Sequence, residues 1–316
     1  LTHRIRKTLS LSILAVLCIA AVFYVRAHWA EFRAVELRSP GCLAIVVLGF
    51  LANMGFRGLF SYYVLRALNV RLSFPEAFQL SAVTTMANFL LPLRSGAGLR
   101  ALYLNRLHRL ELTLFASTMT ALYILFIFVN CLLGMVALTA ITGLSDALSL
   151  KLFALLAAPC LAAGWAIFLA PPVPQGRGKL RMYLSRIGGG WDQIRGSRPI
   201  LLAAMLTTAG TSACASLSLY AGFHAFGLSI DLSGSVLLMA SQNVGGLIGL
   251  TPGAAGCQEA AGLLISVVLS VTVVETLLVL GTTRFVKVGV ALAAGLPSFA
   301  LLSKRMEAGA AAEKDP

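Results

Sequence analysis

A few charged side chains stand where the surrounding chain is apolar: Arg94, Arg100, Glu259 and Arg284, with Arg57 and Lys287 inside or at the rim of other apolar runs. Arg94 and Arg100 belong to the run Pro92-Leu-Arg94-Ser-Gly96-Ala-Gly-Leu-Arg100, and Glu259 closes the run Pro252-Gly253-Ala-Ala-Gly256-Cys-Gln-Glu259. Proline lacks an N–H and restricts the residue before it, while glycine permits positive φ and close approach, so each motif should end one helix and begin another. Unpaired N–H groups at a new helix N-terminus favour anions, and Arg94 and Arg100 add positive charge beside the first of them. On the helix after Gly96, at about 100° per residue, Arg100 points away from Arg106 and Arg109. Arg100 is therefore expected to turn into the bundle while the other two meet water.

Glu259 needs a partner or a proton, because an isolated carboxylate among apolar segments is costly. Two readings stand: proton coupling, or pairing with Arg94 or Arg100. Glu275 is expected to pack between helices, with Arg284 as its partner. Arg57, Arg284 and Lys287 each suit a lipid phosphate, and equally an ion pair or a boundary charge snorkelling to headgroups. Asn88 and Asn243 precede the two breaks and are placed to satisfy freed backbone groups or to contact a headgroup.

The elements that must position these residues follow from composition. The 316 residues are 58% hydrophobic and 12% charged, with mean hydropathy +0.87, which excludes an ordinary water-soluble domain. Apolar stretches near the roughly 20 residues needed to cross hydrocarbon lie at 9–25, 41–62, 112–140, 152–171, 200–223, 261–281 and 284–302. Shorter ones lie at 76–92 and 233–251. Period-2 alternation is lacking, so the spans should be helices, not barrel strands. The expected fold is an all-α polytopic membrane bundle of about seven full spans plus two re-entrant broken helices.

Basic residues follow the loops. Arg4, Arg6 and Lys7 precede the first span, Arg66 and Arg71 follow the second, and 175–197 holds five basic residues against Asp192 alone. By the positive-inside rule these loops and the N-terminus are cytoplasmic, and the net charge of +13 reflects topology, with no nucleic-acid partner expected. Full passage of 76–91 would carry Arg94, Arg100, Arg106 and Arg109 outside, so a re-entrant segment is expected there. The N-terminus is read as a retained first helix, since no small-x-small cleavage site follows Ala21. The six cysteines lack metal or disulfide spacing, and no metal or cofactor is expected.

Offsetting the chain by 160 residues superposes Pro92 on Pro252, Gly96 on Gly256, Ala101 on Ala261 and Leu104 on Leu264. The order of long and short apolar runs repeats as well, and three crossings between equivalent points would invert the second half. One transmembrane domain, 1–303, is expected: first helix and outer loop at 1–40, repeat one at 41–172, a basic cytoplasmic loop at 173–198 and repeat two at 199–303. A polar tail follows at 304–316.

The two motifs, Leu91-Pro92-Leu-Arg94-Ser-Gly96-Ala-Gly-Leu-Arg100 and Thr251-Pro252-Gly253-Ala-Ala-Gly256-Cys-Gln-Glu259-Ala, with Arg284 ahead of the last apolar run, resemble a known family. It is the flippase-like transmembrane family shared with the N-terminal part of lysylphosphatidylglycerol synthases. The family typically has an acidic residue after the first glycine, where this chain has Ala97, and often a Glu-Arg pair in the next span, which 117–125 lacks. The resemblance implies an integral protein of a bacterial plasma (inner) membrane that binds or flips a lipid: a phospholipid, or a polyprenyl or hopanoid-type lipid. Membrane lipids are the expected partners, with a lipid-modifying enzyme as a further one. The alternatives are a non-transporting accessory subunit or a membrane-embedded lipid transferase; histidines and aspartates form no diphosphate or metal motif, so no enzyme is expected.

Overall fold

Hydrocarbon offers the backbone no hydrogen-bond partners, so apolar segments of this length satisfy themselves as helices. A computed structural model of the chain describes residues 23, 26–91, 95–171, 179–247 and 251–312, and these contain helices and no strand. The expected first span at 9–25 falls almost wholly outside them, as do Pro92 and Arg94. After a short helix α1 (Trp29–Ala34) come α2 (Gly41–Ala67), α3 (Phe74–Leu90), α4 (Gly96–His108), α5 (Leu112–Thr142) and α6 (Ala147–Phe168). There follow α7 (Lys179–Gly196), α8 (Arg198–Ala225), α9 (Leu232–Gly245), a 3-10 turn (Pro252–Ala254), α10 (Cys257–Ser266) and α11 (Val273–Ala312). Five of these, α2, α5, α6, α8 and α11, are long and apolar enough to cross a membrane.

The segment at 76–91 is re-entrant, as its charge pattern demands. Helices α3 and α4 form a hairpin whose ends return to each other: Tyr103 Oη donates to Glu76 Oε1 at 2.6 Å and His108 Nε2 lies 2.8 Å from the same oxygen. Ser73 caps α3 by accepting from the Glu76 N–H, with Pro75 in the first turn. The second hairpin, α9 with α10, is capped alike: Asp231 accepts from the Gly234 N–H at 2.7 Å. Ser270 to Thr272 then turn the chain into α11.

That turn corrects the expected division at 281–284. The two runs 261–281 and 284–302 are a short arm and one 40-residue helix, and the helix continues through Arg284. Its start is a capping box: Thr272 Oγ1 accepts from the Glu275 N–H at 3.2 Å, and Glu275 Oε2 accepts from the Thr272 N–H at 3.0 Å. Glu275 is thus a helix cap, not a partner of Arg284.

Adding 160 to the first residues of α2, α3, α4 and α5 gives 201, 234, 256 and 272, against observed starts of 198, 232, 257 and 273 for α8 to α11. Packing repeats too. Helix α2 packs against α8, α5 lies on the second hairpin and α11 lies on the first. The base of the first hairpin is buried with Leu65, Val70, Phe115 and Leu302, and the base of the second with Leu138, Phe223 and Ile230. These clusters occupy opposite ends of α2 and α8, so the hairpins enter from opposite sides and their tips approach in the middle.

Candidate functional site

The tip of the first hairpin is held by Asn88, whose Oδ1 accepts from the Gly96 N–H at 3.0 Å. This is the backbone-satisfying role expected of it. A side chain at Gly96 would land on the Thr84 carbonyl oxygen and within 2.7 Å of Asn88 Oδ1, so the close return of the chain requires glycine. Arg100 then faces inward and is 6% exposed, while Arg106 and Arg109 are exposed, as their helical spacing dictates. Its Nε and Nη2 have no hydrogen-bond partner among the described residues.

The second tip is built differently. Gly253 (φ 60°), Ala254 (φ 53°) and Gly256 (φ 85°) wind the chain through left-handed backbone, which glycine adopts without penalty. Glu259 reaches back to accept from the Gly256 N–H at 2.7 Å. Its other oxygen pairs with Arg284, which also donates to the Gly253 carbonyl. The carboxylate is therefore committed to Arg284 and its own helix N-terminus. The expected pairing with Arg100 does not form, because Arg284 from α11 holds the carboxylate instead. Phe89 Cδ1 would lie 2.9 Å from a Cβ added at Gly253, so the two tips touch.

Between the tips and the long helices lies a cavity of about 270 Å³. Arg57, Arg100 and Lys287 line it, from α2, α4 and α11, and no carboxylate does. Amides and hydroxyls complete the polar wall. Asn53 donates to the Thr211 carbonyl at 2.8 Å and accepts from Arg57 Nε at 3.0 Å, which orients the guanidinium. Asn130, fully buried, accepts from Asn243 Nδ2 at 2.7 Å and Ser212 Oγ at 3.0 Å, tying α5, α8 and α9 together. Asn243 thus serves a cross-helix network and lines the cavity; it does not cap the broken backbone. Phe50, Phe60, Phe89 and Phe126 supply an apolar wall.

Of the residues singled out by sequence, Asn88, Arg100, Asn243 and Gly253 line the cavity, and Gly96, Gly256, Glu259 and Arg284 shape its tips. Pro252 begins the 3-10 turn of the second tip. Asn53, Asn130, Gln242 and Gln258 were not foreseen. Polar residues within apolar helices were their only signal, and Ser and Thr that merely bond their own helix carbonyls share it.

Two hairpins entering from opposite sides around a cationic, membrane-depth cavity define a polytopic helical membrane protein with a central polar site. The chain belongs to the lysylphosphatidylglycerol synthase TM region family, which matches residues 8–295. That family makes it a lipid-related membrane protein. A comparison with curated proteins finds no match.

Proposed function

We propose that the chain binds the polar, anionic headgroup of a membrane lipid in the central cavity and passes it between leaflets while the tails stay in the bilayer. The observation that carries this is Arg100. A guanidinium 6% exposed, with two nitrogens unpartnered among the described residues, lines a cavity without carboxylates. Such a group is expensive unless an anion completes it. Phosphate oxygens match the guanidinium fork. The cavity volume suits a headgroup and is too small for acyl chains, in keeping with tails left in lipid.

The hairpins supply the route. Each reaches the cavity from one side, and parting of the Phe89–Gly253 contact opens it. Cations and hydrogen-bond donors are equipment for holding an anion, so the role is transport without catalysis. Glu259 acts by fixing the second tip through Arg284. The basic end of the bundle, with Arg66, Arg71, Arg106 and Arg109, faces the cytoplasm of a bacterial inner membrane.

The test is translocation of headgroup-labelled lipids in proteoliposomes, with phosphatidylglycerol, phosphatidic acid and a polyprenyl phosphate as substrates. Wild type moves at least one of them, and Arg100→Ala slows it by about ten-fold or more, since a charge-assisted hydrogen bond contributes about 1.5–3 kcal/mol. No movement of any of the three by wild type rejects the reading.

A further inference from the structure

The lining charge bears on the class of headgroup. Resting on the reading of the cavity as a headgroup site, we propose that it selects a terminal phosphate dianion, a phosphomonoester or diphosphate, over the singly charged phosphodiester of ordinary phospholipids.

The one carboxylate close to the cavity, Glu259, is held by Arg284 and the Gly256 N–H. Arg57, Arg100 and Lys287 line the same space without an acid among them. With Arg57 set aside as already oriented by Asn53, Arg100 and Lys287 still leave two positive charges facing one volume. A phosphodiester carries one negative charge and leaves one of these cations unmatched at membrane depth, where that is costly. A terminal phosphate carries about −1.5 to −2 at neutral pH and offers three acceptor oxygens. It matches both cations, and the surplus oxygen falls to the amide donors of the wall. Arg100 arrives on the first hairpin and Lys287 on α11. The two charges therefore come from different elements, and a doubly charged group bridges them where a singly charged one satisfies only one.

The distinction can be read with the purified full-length chain in detergent, by equilibrium binding of farnesyl phosphate, farnesyl diphosphate, short-chain phosphatidylglycerol, phosphatidylcholine and inorganic pyrophosphate. Both farnesyl esters should bind about ten-fold or more tighter than phosphatidylglycerol, about 1.4 kcal/mol. Lys287→Gln, or Lys287→Met should the first fold poorly, should erase that advantage and leave phosphatidylglycerol binding within a few-fold of wild type. Equal affinity for farnesyl phosphate and phosphatidylglycerol overturns the inference and leaves the lipid-headgroup reading standing. Pyrophosphate binding as tightly as its farnesyl ester makes the site one for a soluble anion and overturns both. Binding of no probe also overturns both.

Discussion

At the scale of single residues, the pair Arg284–Glu259 and the solitary Arg100 play opposite parts. The pair is complete: Arg284 holds Glu259 and the Gly253 carbonyl, so it fixes the shape of the second tip. Breaking it should be felt as lost stability. Glu259→Gln is expected to lower the melting temperature of the purified protein, at a cost below the about 3–5 kcal/mol of a fully buried pair. Both side chains keep 22% of their exposure, which lets solvent soften the loss. Arg284→Met added to it should recover part of that stability, because no unpaired charge then remains; a double variant as unstable as the sum of the singles would show the two uncoupled. Arg100 has nothing among the described residues to lose except a ligand. Its inward direction was readable from helical spacing alone. The identity of Glu259's partner was not, because it depends on α11 returning past the tip 25 residues later in the chain.

At the scale of elements, the first hairpin is closed at its base by Glu76, Tyr103 and His108. Burial by itself would raise the Glu76 pKa, but the hydrogen bonds from His108 and Tyr103 outweigh it and hold the carboxyl below its ordinary 4.5. A depressed folded value means that the stabilisation is fully present above 4.5 and is lost as pH falls through the lower folded value. Glu76→Gln should therefore melt earlier than wild type at neutral pH, by about 1–2 kcal/mol, the gap between charged and neutral hydrogen bonds. The difference should vanish near pH 3, and a gap that stays constant with pH would remove the carboxylate from this role. The re-entrant path itself was legible, since the positive-inside rule left Arg100, Arg106 and Arg109 no other side. The start of α11 was misplaced because attention went to the charge of Arg284. The actual stop signal was the short capping box Thr272-x-x-Glu275, hidden in a run of valines.

At the scale of the whole molecule, the 160-residue offset foretold the order of elements and their starts to within three residues. Four matching residues alone were thin support for it; the strength lay in four helices recurring in register. The opposed entry of the hairpins can be checked by cysteine labelling in a background whose native cysteines are replaced. Arg106→Cys, at the exposed base of the first hairpin, and Ser270→Cys, at the exposed base of the second, should react with an impermeant maleimide from opposite faces. Labelling of both from one face would rule the arrangement out. What no pattern in the sequence conveyed was the cavity, because its wall draws single polar residues from helices far apart in the chain.

Helix α11 has a mechanical consequence. Its first half touches the second hairpin through Leu280 and Arg284, and its later half meets the first through Gly295 beside Met86 and through Leu302. At about 1.5 Å per residue its 40 residues measure about 60 Å, twice the hydrocarbon thickness. The helix is a single pushrod between the two gates, with Pro297 as its one built-in weak joint. Tilting it to free one tip necessarily shifts the seat of the other, so the hairpins work as a seesaw with one degree of freedom, and Lys287 rides at its fulcrum.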